Sequence, residues 1–217
     1  TLLAHDVDTI FGYPGGAIMP IYDALTYYPD LKHILMRHEQ GASHAAEGYA
    51  RIKHKPGICF ATSGPGATNL VTGLADAMLD STPIIAITGQ VFSPLLGTDA
   101  FQEVDVVAIT ATVTKYNFLV TRAEKNKKAV HEAFRIAISG RPGPVLIDIT
   151  KDAQTNKAEY KPKTFAFSNT MAFTNVDEKI NQAVELISKA QKPLILAGHG
   201  IHISQSYEQF KTFVENT

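Results

Sequence analysis

The chain is poor in sulfur and contains no tryptophan. It has one cysteine among its 217 residues. Because a disulfide needs two cysteines, Cys59 cannot form one within the chain, and we expect a protein of a reducing compartment. Cys59 lies in the apolar run 58–61, where we expect a buried and inert thiol rather than a nucleophile.

The chain also lacks an excess of charge of either sign. Its 20 basic and 21 acidic residues leave a formal net charge of −1, so no overall field attracts nucleic acid or an anionic membrane. No apolar run reaches the length of a membrane span, and the first residues do not form a signal-peptide pattern. We expect a soluble protein without nucleic-acid or membrane partners.

The sequence patterns at both ends are typical of interrupted helices. Residues 1–7 look like the end of a helix, and residues 207–214 form a helical pattern that stops without a capping residue. We therefore expect the chain to be a piece of a longer protein.

Hydrophobic periodicity indicates an α/β protein. Short apolar runs alternate with helical patterns, which is typical of βαβ units in a doubly wound, mainly parallel sheet. The last strand is a continuous apolar run that suits burial on both faces. We predict one complete domain over residues 1–150, with strands at 9–13, 34–36, 57–62, 83–88 and 145–149 and helices at 17–26, 40–53, 67–79 and 123–139.

The composition changes after residue 150. Residues 151–175 are rich in Lys, Thr, Asn and Ser and lack periodicity, which predicts a linker. Residues 176–189 then form an amphipathic helical pattern. It is followed by a predicted strand at 193–197, a turn at 198–200 and a helix at 204–214. We expect a second α/β domain to begin here, over residues 176–217, and to be incomplete.

Two glycine-rich turns each follow a predicted strand and precede a predicted helix. They are Gly12-Tyr13-Pro14-Gly15-Gly16-Ala17 and Thr62-Ser63-Gly64-Pro65-Gly66-Ala67-Thr68-Asn69. A plain strand-to-helix turn explains either one alone, but both lie at the same edge of a parallel sheet, where ligands bind. Neither is a Walker loop, and the second lacks the third glycine of a dinucleotide fingerprint. The pair favours a ligand site that need not hold a phosphate.

Glu39 stands where a predicted strand becomes a helix. One interpretation is that it complements the helix dipole, as acidic residues in a first turn commonly do. The other is a catalytic carboxylate, which the density of glycine turns favours. A third turn, at 88–90, opens an irregular stretch that places Phe101 beside Gln102. That loop either contacts a ligand or folds its phenylalanine inward.

The eight histidines form no metal-binding signature. A zincin helix beginning at His38 and Glu39 would need a histidine where Ala42 stands. No Gly-x-Ser-x-Gly elbow occurs either, so serine hydrolase chemistry has no support. We predict no metal site within these residues.

Five motifs together resemble the catalytic subunit family of acetohydroxyacid synthase (acetolactate synthase). Two are the glycine turns, and the others are Arg37-His38-Glu39-Gln40-Gly41-Ala42, Gly97-Thr98-Asp99-Ala100-Phe101-Gln102-Glu103 and Ser139-Gly140-Arg141-Pro142-Gly143-Pro144. The resemblance runs across nearly all of residues 1–150. Many thiamine diphosphate enzymes share the glutamate and the Gly-Pro-Gly-Ala turn, whereas the segment 97–103 resembles this synthase in particular.

The resemblance implies a domain assignment and a reaction. Residues 1–150 would bind the pyrimidine of thiamine diphosphate, and residues 176–217 would begin a Rossmann-like central domain associated with FAD. The implied enzyme decarboxylates pyruvate and condenses it with a second 2-ketoacid. The products are 2-acetolactate or 2-aceto-2-hydroxybutyrate, for branched-chain amino acid biosynthesis.

The resemblance also implies roles for individual residues. Glu39 would activate thiamine diphosphate through a hydrogen bond to its aminopyrimidine ring nitrogen. Phe101 and Lys151 would lie near the substrate, and Ser81 and Arg141 would contact FAD. For Arg141, an arginine in a tight turn at a helix end is the alternative interpretation. The residues implied to lie against thiamine diphosphate are Gly15, Gly16, Pro65, Asn69 and Gln102.

Two positions depart from the family pattern. Phe92 stands where the family usually has proline, which puts the shape of the substrate entrance in question, and Ile203 takes the third-glycine position of the turn at 198–201. The Gly-Asp-Gly motif that holds Mg²⁺ and the diphosphate in the family does not occur in the sequence. The resemblance therefore implies that the Mg²⁺ ligands lie outside this chain, which alone would be inactive.

The resemblance implies several partners: small 2-ketoacids, a second copy of the subunit in a homodimer or larger homo-oligomer, and a regulatory small subunit. The implied location is the bacterial cytoplasm or the plastid stroma. Two alternatives stand beside this function. One is another thiamine diphosphate enzyme, namely pyruvate oxidase, glyoxylate carboligase or a 2-ketoacid decarboxylase. The other is an α/β module that binds a nucleotide or flavin without catalysis.

Overall fold

Parallel strands with helices on both sides make up most of the described chain. The structure is a computed structural model that describes residues 1–161 and 175–217. The chain divides into two units, Thr1–Asn169 and Thr170–Thr217. None of the described helices is both long enough and apolar enough to cross a membrane.

The first unit contains one sheet of six strands, all paired in parallel. The strand order is β2-β1-β3-β4-β6-β5, so the chain winds outward in one direction from β1 and in the other from β3. This confirms the predicted α/β fold with a doubly wound sheet. The strands are β1 (Thr9–Gly12), β2 (Lys32–Leu35), β3 (Gly57–Ala61), β4 (Ile84–Gln90), β5 (Tyr116–Val120) and β6 (Val145–Thr150).

Helices cover both faces of this sheet. Ile58 and Phe60 of β3 belong to the core cluster that includes α6, whereas Cys59 and Ala61 belong to the cluster that includes α2. Alternate residues of a strand point to opposite faces, so β3 is buried on both. The helices are α1 (Met19–Leu25), α2 (Glu39–Lys53), α3 (Pro65–Thr68), α4 (Val71–Leu79), α5 (Val106–Thr110), α6 (Ala123–Ile138) and α7 (Lys151–Thr155), with 3₁₀ turns at Leu2–His5 and Ser93–Leu95.

Cys59 lies in the centre of this sheet. Its side chain is fully buried, and burial raises the pKa of the thiol to about 12. A thiol with so high a pKa does not supply a thiolate near neutral pH. The predicted burial of Cys59 is confirmed, and its inertness stays a prediction.

Close packing fixes the position of α2. A Cβ added at Gly57 would lie 2.0 Å from the carbonyl oxygen of Ala46, and one added at Gly73 would lie 2.0 Å from Ser43 Oγ. The helix therefore contacts β3 and α4 through small residues, because larger ones would not fit. Glu39 is the first residue of α2, so this packing also fixes the catalytic candidate.

Several elements of the first unit differ from the sequence prediction. The helix predicted over 67–79 is two helices, α3 and α4, separated by Asn69 and Leu70. Strand β5 was not predicted, because it lies at the sheet edge with Tyr116 and Leu119 exposed and so lacks the continuous apolar run of a central strand. The short helix α5 was not predicted either.

The second unit contains three described helices, α8 (Val176–Ser188), α9 (Gly200–Ile203) and α10 (Tyr207–Glu215). The predicted strand at 193–197 is wrong: no strand forms there, and Leu194 and Leu196 are almost fully exposed. A strand needs a neighbour for its backbone hydrogen bonds, and no described residues pair with this segment.

The predicted linker falls partly outside the described residues. Its first residues, 151–155, form α7, in which Ala153 is buried. Residues 162–174 lie outside the described part of the chain. The boundaries at 150 and 175 stay predictions.

Substitution of Gly73 tests the packing that holds α2. We expect Gly73→Ala to lower the free energy of unfolding by about 1–3 kcal/mol, because its Cβ overlaps Ser43. Gly48→Ala is the matched control, since Gly48 lies in α2 with no atom within 4 Å of an added Cβ. We expect it to stabilise the chain by about 0.5–1 kcal/mol. Urea unfolding compares the two, and equal stabilities would contradict the contact.

Candidate functional site

The carboxyl ends of the six parallel strands meet at one edge of the sheet. There β1 leads to Gly15, β2 to Glu39, β3 to Pro65 and β6 to Lys151. The winding direction of the sheet reverses between β1 and β3. Ligands of open α/β sheets bind at such a reversal, and the two glycine turns flank it.

Glu39 is buried although it opens a helix. Only 8% of its surface is exposed. Asn69 Nδ2 donates to Glu39 Oε2 at 3.0 Å, and a Cβ added at Gly66 would lie 3.2 Å from Oε1. A carboxylate that only complements a helix dipole does not need to leave water. The geometry therefore favours the catalytic interpretation of Glu39 over the dipole interpretation.

Thr62 joins the two glycine turns. Its Oγ1 accepts a hydrogen bond from the backbone N–H of Ala17 at 3.1 Å. A Cβ at Gly15 would lie 2.5 Å from Thr62 Cβ, and one at Gly66 would lie 2.8 Å from Thr62 Cγ2. Both glycines are needed because the turns approach each other too closely for a larger residue.

The loop Gly97–Val104, here called the Phe101 loop, reaches the same place. Gly64 has a φ of +56°, and its added Cβ would lie 2.7 Å from the carbonyl oxygen of Gln102. Gln102 itself has a φ of +57°. Phe101 is 87% exposed, so the loop does not fold its phenylalanine inward. That leaves the ligand-contact interpretation of the loop.

Lys151 also faces the first glycine turn. Its Nζ donates to the carbonyl oxygen of Gly16 at 3.1 Å and lies 5.9 Å from the ring centroid of Phe92. The backbone fixes Phe92 there, because Lys151 N–H donates to the carbonyl of Val91 at 3.2 Å. The residue that departs from the family pattern thus contacts a predicted site residue.

Ser81 and Arg141 contact each other at the opposite edge of the sheet. Arg141 Nε donates to Ser81 Oγ at 2.7 Å, and Arg141 Nη2 donates to the carbonyl of Leu79 at 2.7 Å. These residues precede β4 and β6, so they lie at the amino edge, away from Glu39. Arg141 thus caps the carboxyl end of α4, a contact that was not predicted, since the alternative interpretation placed it only at the end of its own helix. Their contact with FAD stays a prediction.

One group of possible metal ligands occurs among the described residues. Ligand atoms of His44, Glu47 and Asp76 lie within 4.8 Å of one another. Arg51 Nη2, however, lies 2.6 Å from both Glu47 Oε1 and Asp80 Oδ2. We interpret the group as an ion-pair network between α2 and α4, and the predicted absence of a metal site stays a prediction.

A buried polar cluster next to the site was not predicted. Thr88 Oγ1 donates to Asp148 Oδ1 at 2.7 Å, and Gln90 Nε2 donates to Asp148 Oδ2 at 2.9 Å. Burial raises the pKa of Asp148 to about 6. The charges of Asp105 and Glu103 raise this pKa further, whereas the two hydrogen bonds lower it. The available signal was a single carboxylate inside the apolar strand 145–149.

Substitution of Thr62 tests the junction of the glycine turns. We expect Thr62→Val to lower the free energy of unfolding by about 1 kcal/mol or more, because the N–H of Ala17 loses its partner. The control is Thr72→Val, at an exposed position of α4, which should change stability by less than about 0.5 kcal/mol. Equal effects in urea unfolding would contradict the role of Thr62.

The raised pKa of Asp148 predicts that the free energy of unfolding depends on pH. Between its ordinary pKa of 3.8 and about 6, the folded chain keeps a proton that the unfolded chain has lost. Stability should therefore fall as the pH rises through this range, by about 3 kcal/mol from this residue. Asp148→Asn should flatten the profile and raise stability at pH 7.

The measurement is urea unfolding at a series of pH values. Asp30→Asn serves as the control for the loss of one aspartate, because Asp30 is exposed. A slope in Asp148→Asn equal to that of the unmodified chain would contradict the assignment.

The family model described as thiamine pyrophosphate enzyme, N-terminal TPP binding domain, matches residues 1–109. The Escherichia coli (strain K12) acetolactate synthase isozyme 2 large subunit is 51% identical over 216 residues, which is 100% of this chain and 39% of that protein.

Two further relatives have nearly the same sequence identity to this chain. The Corynebacterium glutamicum acetolactate synthase large subunit is 50% identical over 98% of this chain and 34% of its own length. The chloroplastic acetolactate synthase of Arabidopsis thaliana is 49% identical over 97% of this chain and 32% of its own length. The chain thus spans between about a third and two fifths of these relatives.

Proposed function

The chain belongs to the thiamine pyrophosphate enzyme family, and from this premise we propose that the whole protein is an acetolactate synthase. It would condense decarboxylated pyruvate with a second 2-ketoacid in branched-chain amino acid biosynthesis. Similarity to curated acetolactate synthases across this whole chain supports the proposal. The main supporting observation is the buried carboxylate of Glu39, which lies where the winding direction of the sheet reverses.

The residues at this edge fit the pyrimidine of thiamine diphosphate. Asn69 holds Glu39 Oε2, and among the described residues no donor is bonded to Oε1. Oε1 faces Gly66, and Gly66 and Gly15 leave no room for side chains of their own. We assign Oε1 to a ring N–H group of the cofactor, because no described donor is bonded to it and residue 66 has no side chain to cover it.

A carboxylate suits this role because it can share a proton with a weakly basic ring nitrogen. Glu39 would hold that proton at the aminopyrimidine ring nitrogen, and burial strengthens the bond because little water competes for it. Bound thiamine diphosphate supplies the electron sink that decarboxylation of a 2-ketoacid requires. Asn69 keeps the carboxylate in the orientation that the contact needs.

The remaining predicted residues are assigned to the substrate and the cofactors. We assign Phe101 and Lys151 to the 2-ketoacid, supported by their place at the Glu39 edge. Ser81 and Arg141 stay assigned to FAD, because Arg141 Nη1 makes none of the described hydrogen bonds of this side chain. The Mg²⁺ ligands would lie outside this chain, since it has no Gly-Asp-Gly motif.

The proposal extends to partners and location. The names of two relatives contain "large subunit", which supports a regulatory small subunit for this protein as well. We propose a homodimer or larger homo-oligomer, in which a partner copy completes the cofactor site. Because relatives occur in bacteria and in a chloroplast, the location would be the bacterial cytoplasm or the plastid stroma.

Substitution of Glu39 tests the proposal in the full-length protein. Supplied with pyruvate, thiamine diphosphate, Mg²⁺ and FAD, the protein should release acetolactate. Glu39→Gln should lower kcat/KM by about 10²- to 10⁴-fold, because glutamine cannot hold the proton at the ring nitrogen. Glu47→Gln is the matched control, because Glu47 is a second buried carboxylate of α2 with an ion pair to Arg51. It should retain activity within severalfold.

The products separate the proposal from its alternatives. Acetaldehyde alone would indicate a 2-ketoacid decarboxylase, and acetyl phosphate would indicate a pyruvate oxidase. No turnover of any 2-ketoacid would leave the binding-module alternative. Each of these three results would overturn the proposed function, whereas full activity of Glu39→Gln would overturn the role of Glu39 in it.

A further inference from the structure

The Phe101 loop is joined to the sheet by one side-chain hydrogen bond, and its Val104 also packs against the core cluster that includes α2. Gln90 Nε2, at the end of β4, donates to the carbonyl oxygen of Val104 at 2.9 Å. The other hydrogen bonds of this loop in the described structure are local and lie within residues 95–106. Removal of the Gln90 amide would therefore leave the loop without a hydrogen bond to the sheet.

Asp148 is one of three groups that orient the amide of Gln90, together with Val104 and Val91. Gln90 Nε2 donates both to Val104 O and to Asp148 Oδ2, each at 2.9 Å, while its Oε1 accepts from the N–H of Val91 at 2.9 Å. The reversed amide would place its oxygen against two other acceptors. The carboxylate of Asp148 thus holds the donor side of Gln90 toward the loop.

The loop position determines what packs on the second glycine turn. Val104 lies two residues from Gln102, whose backbone fills the space beside Gly64. Gly64 begins the turn that presents Gly66 to Glu39. A shift of Val104 would therefore move Phe101 and Gln102 relative to the carboxylate.

The loop also has room to shift. A cavity of about 160 Å³ lies beneath it, lined by residues that include Gln90, Leu96, Glu103, Leu119 and Asp148. A loop over a close-packed surface could keep its position through contacts alone. Over this cavity, the end of the loop is held by the hydrogen bond of Gln90 and by the packing of Val104.

We propose that Gln90 is a positioning residue that holds the Phe101 loop over the Gly64 turn, and that Asp148 acts through Gln90 by fixing its amide. Neither residue contacts the reacting atoms. The claim that these residues order the loop depends only on the geometry. The claim that this order affects turnover rests on the proposed function.

The first test is amide hydrogen exchange of the full-length protein. In Gln90→Met and Asp148→Leu, exchange of the amides at 97–104 should rise about tenfold, as expected when one buried hydrogen bond is lost. Asp148→Asn should keep the protection of the unmodified protein. Its Oδ1 can accept from Gln90 while its Nδ2 donates to Thr88 Oγ1.

Ile147→Val is the matched control for general destabilisation. Ile147 precedes Asp148 on β6 and faces the opposite side of the sheet, in the cluster with α6. The change should lower global stability without altering exchange at 97–104. If Gln90→Met does not fold, Gln90→Ala replaces it, because alanine has no side-chain group that can donate to Val104 O.

The second test separates kcat from KM for pyruvate. If the substrate binds only to molecules in which the loop is ordered, KM is divided by the fraction of such molecules and so rises as that fraction falls. We therefore expect KM to rise about tenfold in Gln90→Met and Asp148→Leu, with kcat changed far less. Asp148→Asn should restore KM.

Each outcome decides the proposal. Unchanged exchange at 97–104 in Gln90→Met and Asp148→Leu would overturn it, as would equal loosening in Asp148→Asn and Asp148→Leu. Altered exchange in a protein that makes no acetolactate would support the positioning role while overturning the proposed function. Altered exchange with an unchanged KM would show that the loop does not serve the substrate.

Discussion

Parallel pairing of all six strands is the constraint on which the candidate site depends. Because every strand ends at the same edge, residues far apart in sequence, such as Gly15, Glu39, Pro65 and Lys151, meet there without a long connection. The same constraint separates Ser81 and Arg141 from them, since residues that precede strands must lie at the amino edge. The topology thus determines which predicted residues can act together.

At this edge, steric contacts rather than charges determine how the two glycine turns and the Phe101 loop pack together. Thr62 contacts the positions where Gly15 and Gly66 lack a Cβ, and the backbone of Gln102 contacts Gly64 in the same way. Three segments therefore pack so closely that only glycine fits at the contacts. The carboxylate of Glu39 lies beside these contacts, with its Oε1 next to Gly66.

The sequence predicted the parts of the fold that have strong local signals. Strands β3, β4 and β6 are continuous apolar runs, and α2 and α6 have clear helical periodicity. Strand β5 could not be recognised, because an edge strand with Tyr116 exposed lacks such a run. The strand expected at 193–197 has the apolar residues but no partner among the described residues. For the site, motifs identified Glu39 and Gln102, whereas the bond between Gln90 and Asp148 depends on tertiary pairing of β4 with β6.

Two buried carboxylates near this edge differ in how fully they are bonded, and the difference separates their roles. Both oxygens of Asp148 accept hydrogen bonds from the protein, so a ligand could bind it only by displacing Thr88 or Gln90. Glu39 has one oxygen held by Asn69 and the other facing the Gly66 turn. A ligand can therefore bind Glu39 without displacing a protein donor. That difference is the physical reason to assign ligand binding to Glu39 and positioning to Asp148.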